Sequence, residues 1–194
     1  MKTIFLLLFL FSFIHITNAQ EASFRRVPRQ ISLETGYKNI FSTTFDNNAS
    51  HGGGFMIDYA WKLSGFSNNK AAYISVPLGY WNMNADGSGN ENMKIISYGW
   101  TVKHELAKNR KMIPFAGYSL LLNQLSINNT DGKVFGHQTK FDLGADFYLE
   151  SKIIPFIKVE YSSARFPALN DAKGNKMHTW EFKMGVRFNS KQSD

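Results

Sequence analysis

The stretch Thr179-Trp180-Glu181-Phe182-Lys183-Met184-Gly185-Val186-Arg187-Phe188 alternates between polar and apolar side chains without a break. Successive side chains of a β-strand point to opposite faces, so this stretch predicts a strand with one apolar face and one charged face. In a soluble sandwich the apolar face would pack against other protein. In a barrel that spans a bilayer, the apolar face would contact lipid and the polar face would line the interior.

The same alternation recurs in seven earlier segments, which gives eight in total. The segments span residues 31–41, 53–63, 72–82, 94–106, 112–125, 135–149, 153–163 and 179–188. Each has about ten residues or slightly more, which is the length that a tilted strand needs to cross a bilayer core. We therefore predict an all-β fold, an eight-stranded antiparallel up-and-down transmembrane β-barrel.

The connections between these segments alternate in length. Longer polar stretches follow the odd-numbered segments, at residues 42–52, 83–93, 126–134 and 164–177. Shorter stretches follow the even-numbered segments, at residues 64–71, 107–111 and 150–152. Outer-membrane barrels have long external loops and short periplasmic turns, so the pattern predicts four long loops outside the cell.

The inward faces of the segments carry seven acidic and seven basic residues. These are Glu34, Asp58, Glu105, Asp142, Asp146, Glu160, Glu181, Lys38, Lys62, Lys103, Lys140, Lys158, Lys183 and Arg187. An eight-stranded barrel is just wide enough for side chains to fill it. Because an unpaired buried charge is costly, we expect a filled polar lumen in which these residues pair with one another.

The N-terminal residues have the features of an export signal. Lys2 precedes an apolar run at residues 4–14, and small residues at 17–19 form a cleavage site. We therefore predict a cleaved signal peptide at residues 1–19, a short periplasmic segment at 20–29, the barrel at 30–189 and a polar tail at 190–194. The expected location is the cell outer membrane.

Composition argues against several other functions. The net charge of +7 is carried by scattered single residues, so we expect no nucleic-acid partner. The absence of Cys excludes a disulfide framework and Cys-based metal sites. His51, His104 and His137 lack metal-ligand spacing. Two loop stretches, 86–90 and 129–132, lack the length and terminal Glu of a calcium loop. We expect neither a metal nor another cofactor.

Residues 27–189 resemble the small outer-membrane β-barrel families of Gram-negative bacteria. They are similar to the barrel domain of outer-membrane protein A and to barrel proteins common in Bacteroidota. The last strand, with Gly185, Val186 and Phe188, is similar to the C-terminal signal for barrel assembly, although residues 189–194 follow it. The resemblance implies contact with outer-membrane lipid and lipopolysaccharide. Another outer-membrane or secretion-complex protein is a candidate partner.

We expect a structural or interaction role without catalysis, and two alternatives stay open. The first is a narrow solute channel. The second is a lipid A-modifying enzyme, because residues 160–163 (Glu-Tyr-Ser-Ser) resemble the His-x-Ser site of lipid A deacylases. Glu160 stands where a His base would have to activate Ser162, and alternation turns His178 toward lipid. We therefore favour a Glu160 paired with a lumen Lys and a Ser162 that is hydrogen-bonded inside.

Overall fold

A computed structural model describes residues 29–43, 50–63, 71–85, 92–107, 111–127, 133–148, 153–167 and 175–189. The predicted signal peptide and C-terminal tail lie outside these ranges. Within them, no helix is long and apolar enough to cross a membrane.

Eight strands form one closed antiparallel barrel in which each strand pairs with its sequence neighbours and β1 pairs with β8. The strands are β1 Arg29–Thr43, β2 Ser50–Leu63, β3 Ala72–Ala85, β4 Asn92–Glu105, β5 Met112–Ile127, β6 Lys133–Phe147, β7 Ile153–Phe166 and β8 Asn175–Asn189. The predicted fold class is confirmed. Closure pairs the backbone groups that an open sheet edge would expose, which a bilayer core requires.

Side chains alternate across the barrel wall over the middle of every strand. On β6, Leu143 is 65% exposed, whereas its neighbour Asp142 is buried. On β8, Phe182 and Met184 are exposed, whereas Lys183 lies inside and is 1% exposed. A band with apolar residues outside and charged residues inside suits a wall that contacts hydrocarbon.

The strands are longer than predicted at one end, which we call the distal end. Strands β1 and β2 are separated there only by residues 44–49, and the other distal gaps are 86–91, 128–132 and 167–174. The proximal end, which holds the start of β1 and the end of β8, has gaps of similar length at 64–71, 106–111 and 148–152. The prediction of long loops at one end is therefore wrong, because much of the polar sequence continues the hairpins.

The polarity of the wall inverts near the distal end. Ile95 and Leu125 point inward and are buried, whereas their strand neighbours Lys94 and Gln124 point outward. We call this region the crown. Its buried apolar cluster, the crown core, comprises Ile40, Trp81, Met83, Ile95, Leu125, Val134, Ala164, Phe166 and Met177. A sheet with polar residues on its outer face and apolar residues on its inner face has the arrangement of a β-sheet in water.

Candidate functional site: the barrel interior and the distal rim

Seven charged side chains from β1, β6, β7 and β8 meet inside the barrel. This central ion cluster comprises Glu34, Lys38, Lys140, Lys158, Glu160, Glu181 and Lys183, and each of these residues is at most 9% exposed. The antiparallel register brings them together: Lys38 lies opposite Glu181, and Glu160 lies opposite the same Glu181 on the other side. The two carboxylates would repel one another if Lys side chains did not stand between them.

Glu160 forms ion pairs with three Lys side chains of the cluster, as Glu181 also does. Its carboxylate lies 2.8 Å from Lys158 Nζ and 2.7 Å from Lys183 Nζ. Lys140 Nζ lies 3.3 Å away and also contacts Glu181 at 3.1 Å. Removal of one partner from such a pair leaves a buried uncompensated charge, so the members depend strongly on one another.

The remaining contacts connect the cluster to β1. Lys38 Nζ lies 2.9 Å from Glu181 Oε1, and Lys158 Nζ lies 2.7 Å from Glu34 Oε2. Since β1 and β8 are the first and last strands, these contacts hold the beginning and the end of the closed sheet together through the barrel interior.

A second group of charges lies toward the proximal end. Asp146 forms ion pairs with Arg187 and with Lys103, whose Nζ lies 3.1 Å away. The Arg187 guanidinium also stacks 3.8 Å from the ring centroid of Phe156 and 4.8 Å from that of Phe115. Cations on aromatic faces gain electrostatic attraction to the rings, so the aromatic side chains here contribute more than volume.

Four predicted lumen residues do not join either ion-paired group. Asp58, Lys62, Glu105 and Asp142 form no ion pair with another residue of the described strands. Glu105 instead accepts a hydrogen bond from the Tyr148 hydroxyl at 3.5 Å. Gly117 lies opposite Asp142, and a Cβ there would come 2.5 Å from the carboxylate. The missing side chain of Gly117 therefore makes room for Asp142.

A chain of hydrogen bonds runs around the wall between the ion cluster and the crown core. Asn123 Nδ2 donates to Gln138 Oε1 at 3.0 Å, and Gln138 Nε2 donates to Ser162 Oγ at 2.6 Å. The Ser162 hydroxyl is 2.5 Å from that of Thr179. Thr179 in turn donates to Glu181 Oε1 at 3.3 Å. Ser162 is therefore buried within a hydrogen-bonded row that ends at the ion cluster.

The residues considered for catalysis lie on opposite faces of the wall. Ser162 points inward and is fully buried. His178 points outward, where its Nδ1 lies 3.1 Å from the Tyr161 hydroxyl and its ring stacks on that of Tyr161. Glu160 is held by three Lys side chains. These three residues do not form a nucleophile, base and acid arrangement, which needs successive hydrogen bonds between them.

Trp81 lies where the ion cluster meets the crown core. Its ring centroid lies 4.4 Å from Lys38 Nζ and 4.9 Å from Lys183 Nζ. The side chain is fully buried. The alternation in the sequence does not single out Trp81, although the adjacent Tyr80 and Trp81 cannot both face outward in a strand. Such adjacent aromatic or aliphatic pairs, including Ile95-Ile96, mark the level at which the polarity inverts.

The outer surface of the crown is basic. We call Lys94, Lys133, Arg165 and Lys176, together with His137, the basic rim; all are exposed. All seven acidic residues of the described strands point into the lumen, so the rim contains no carboxylate from them. On three strands an outward aromatic residue lies four residues from the rim cation, on the side of the apolar band, as Tyr161 does from Arg165 and Trp180 from Lys176. Aromatic rings favour the membrane–water interface, so the rim lies beyond the apolar band on its distal side.

Together, the closed barrel, the apolar outer band and the charged interior define an eight-stranded barrel of the outer-membrane type. No protein-family model matches the chain, and no curated protein matches it by sequence. Solved structures do match. Neisserial surface protein A is 13% identical, with a TM-score of 0.61, over 82% of this chain and 96% of its own.

Two further solved structures have the same architecture. Outer-membrane protein OprG from Pseudomonas aeruginosa is 10% identical, with a TM-score of 0.51, and covers 85% of this chain and 97% of its own. Outer-membrane protein AlkL is 12% identical, with a TM-score of 0.50, over 90% of this chain and 95% of its own. At these identities the likeness establishes the fold, which by itself does not assign an activity.

Proposed function

We propose that this protein is an integral outer-membrane barrel with a structural or interaction role, a closed lumen and no catalytic activity. The proposal rests on one observation: charged side chains fill the middle of the lumen, and apolar side chains fill its distal part. The central ion cluster occupies the middle of the barrel, and the crown core occupies its distal part.

The crown core argues against a solute channel. Trp81, Met83 and Phe166 point into the distal lumen, and none is more than 2% exposed. Below them, the Lys and Glu side chains of the ion cluster are in direct contact with one another. A conducting path would need water beside these groups, whereas an eight-stranded barrel has just enough room for its own side chains.

The position of Ser162 argues against a lipid-modifying enzyme. Its hydroxyl is buried inside the wall and engaged by Gln138 and Thr179. A lipid substrate approaches the barrel from its outer surface. A general base would also have to lie within hydrogen-bond reach of the nucleophile, and Glu160 is instead bound by three cations.

The contact surface in this proposal is the distal end. Because the strands extend into the crown, the paired strand ends and the basic rim form this surface. A surface built on paired strands holds its side chains more precisely than a long loop does. Outer-membrane lipid, lipopolysaccharide and a neighbouring outer-membrane or secretion-complex protein are the proposed partners.

Conductance in planar bilayers tests the closed lumen. We expect the refolded chain without residues 1–19 to give no discrete conductance steps, while a general porin in the same membrane does. A Trp81→Ala, Phe166→Ala double variant removes two large side chains from the crown core and serves as a positive comparison for leakage. Regular conductance steps from the unchanged protein would contradict the proposal.

Mass spectrometry of lipid A tests the absence of catalysis. Cells that express the protein and cells that express Ser162→Ala should give the same lipid A masses as cells without it. A mass loss equal to one acyl chain that depends on Ser162 would support the enzyme alternative instead. Fractionation with the outer membrane and heat-modifiable migration on gels are expected for both forms, because closed barrels resist unfolding.

A further inference from the structure

Outside the ion pairs, four buried side-chain polar atoms have no hydrogen-bond partner among the described residues. These atoms are Asp58 Oδ1, Trp81 Nε1, Ser97 Oγ and Asn123 Oδ1. They belong to β2, β3, β4 and β5, so they all lie on one side of the lumen. A buried polar group without a partner is costly, so these atoms call for a ligand that can form hydrogen bonds.

Three of the four atoms belong to neighbouring positions on the inner wall. Ser97 lies directly opposite Gly79 on β3 and directly opposite Asn123 on β5. Trp81 is two residues from Gly79, and its Nε1 lies 3.5 Å from the point that a Cβ of Gly79 would occupy. Side chains at opposed positions of a sheet are about 5 Å apart. The polar groups of Trp81, Ser97 and Asn123 therefore surround one small space beside Gly79.

The indole ring of Trp81 is placed with its N–H edge toward this space. A Cβ at Gly54, which lies opposite Trp81, would come 2.5 Å from Cε3 of the ring, so the benzene part of the indole covers Gly54. Lys38 and Lys183 approach the ring, with their Nζ atoms 4.4 and 4.9 Å from its centroid. An ammonium group only donates hydrogen bonds, so neither Lys can accept one from the indole N–H.

The ladder between β3 and β4 is interrupted beside the same space. Residues 76–77 and 99–100 do not pair, although pairing continues on both sides of them in one register. In that register Pro77 lies opposite Gly99, and because Pro77 has no N–H, the Gly99 carbonyl loses its ladder donor. The outer face of the wall meets hydrocarbon here, which offers no hydrogen bond. A partner for this carbonyl has to come from the lumen.

These polar atoms select a small neutral ligand. The indole N–H of Trp81 only donates, the Asn123 Oδ1 and the Gly99 carbonyl only accept, and the Ser97 hydroxyl does both. An anion would be repelled by the two carbonyl oxygens, and a cation by the indole N–H and the nearby ammonium groups. Water can accept from the indole and donate to two oxygens, and a buried water needs about two to four polar partners.

We propose that a water molecule is bound inside the barrel wall by Trp81, Ser97 and Asn123, beside the interrupted β3–β4 ladder. On the distal side the crown-core residues Ile95 and Leu125 close the space, and both are at most 1% exposed. The water is therefore held for a long time and forms no conducting path. This inference concerns the interior of the barrel and goes beyond the interaction role proposed above.

Nuclear magnetic resonance of the indole N–H groups tests the site. The folded barrel is labelled with ¹⁵N-Trp in detergent micelles, and a Trp81→Phe variant assigns the Trp81 signal. We expect the Trp81 N–H to show cross-peaks to water of opposite sign in the laboratory and rotating frames, which is the signature of a long-lived bound water. Trp100 is the matched control, because its side chain faces hydrocarbon and is 56% exposed.

We expect no water cross-peak at Trp100. A cross-peak of equal strength at both residues would overturn the proposal in favour of water that penetrates the micelle. A Trp81 signal without a water cross-peak would overturn it outright.

Gly79→Ala fills the space directly. The added Cβ would lie 3.5 Å from Trp81 Nε1, and the only closer atom given for it is the flexible end of Met56, at 2.8 Å. We expect the Trp81 cross-peak to water to be lost. Gly53→Ala is the control, because Gly53 faces outward and the nearest atom to its Cβ would be 3.8 Å away. Persistence of the cross-peak in folded Gly79→Ala would contradict the site.

Ser97→Ala separates a bound water from the Ser97 hydroxyl. A hydroxyl proton that exchanges with solvent also gives a cross-peak, and this variant removes it. We expect the Trp81 cross-peak to remain, because Asn123 and the Gly99 carbonyl still bind the water. Its loss would show that the hydroxyl was the source and would overturn the proposal.

Urea unfolding of Ser97→Ala gives an independent result. If the hydroxyl were dry, its removal would relieve an unsatisfied group and raise the urea midpoint. We expect no increase, and an increase would overturn the proposal. Heat-modifiable migration on gels verifies that each variant is folded. Conductance is measured separately, so a failed closed-lumen proposal and a failed water site give different results.

Discussion

The middle of the barrel wall, where apolar side chains face outward, is called the membrane band here. The membrane band and the crown are built from the same strands with opposite chemistry. In the band, Leu143 faces outward and Asp142 inward; in the crown, Lys94 faces outward and Ile95 inward. Backbone pairing continues through both regions without a change of topology. What changes is the medium outside the wall, which is hydrocarbon along the band and water or headgroups along the crown. Burial of apolar surface therefore favours opposite faces in the two regions.

The interiors of the two regions are held together by different forces. The ion cluster depends on a small number of charged contacts, each of which leaves a buried charge when its partner is removed. The crown core depends on close packing of aliphatic and aromatic groups, in which the loss of one side chain leaves a cavity. Substitutions that act on one interior but not the other can therefore test this comparison.

The largest effect is expected from Glu160→Gln in the ion cluster. The change removes the carboxylate that contacts Lys140, Lys158 and Lys183. We expect the free energy of unfolding to fall by about 3–5 kcal/mol, since three buried ammonium groups lose a shared partner. Urea unfolding in lipid vesicles measures it. Asp58→Asn is the control, because Asp58 has no ion pair with a described residue, and an equal loss in both variants would contradict a special role for the cluster.

Leu125→Ala should destabilise the crown by about 2–5 kcal/mol, because Leu125 is 1% exposed and its truncation leaves a cavity in the crown core. Leu120→Ala on the same strand faces outward, where lipid can fill the space. We expect a much smaller change there in the same vesicle assay. If the two variants lost the same free energy, the crown core would not be the packed interior described above.

The outward surfaces are compared by placing the same residue in both regions of β6. Leu143→Arg puts a charge in the middle of the band and should cost about 2–4 kcal/mol. Phe135→Arg puts it in the crown, beyond the interface, where the cost should be about 0–1 kcal/mol. Folding yield and unfolding in vesicles measure both. Similar costs at the two positions would show that the boundary of the band is misplaced.

The alternation of polar and apolar residues was enough to predict the barrel and the direction in which each side chain of the membrane band points. In the last strand, every polar residue from Glu181 to Arg187 points inward, as its position in the pattern requires. The distal strand ends could not be predicted in the same way. Pairs such as Tyr80-Trp81 and Ile95-Ile96 break the alternation of hydrophobicity, although the alternation of side-chain direction continues. The alternation of hydrophobicity therefore stops before the strands end.

The sequence predicts which charged residues line the lumen, but not which of them contact one another. Sequence provides the seven acidic and seven basic residues, but not that Glu160 contacts three Lys while Asp142 contacts none within ion-pair distance. These differences come from the register between strands distant in the chain, such as β1 against β8. The end of the β6–β7 ladder at the pair His137–Arg165 depends on register in the same way.

The sequence by itself therefore determined the strand number, the closed topology and the two faces of the band, because these follow from local side-chain direction and chain length. Only the tertiary structure decided which charges meet, where polarity inverts and how the crown is filled. Those outcomes depend on strand register and on the medium at each height of the wall, and neither is encoded in any single segment.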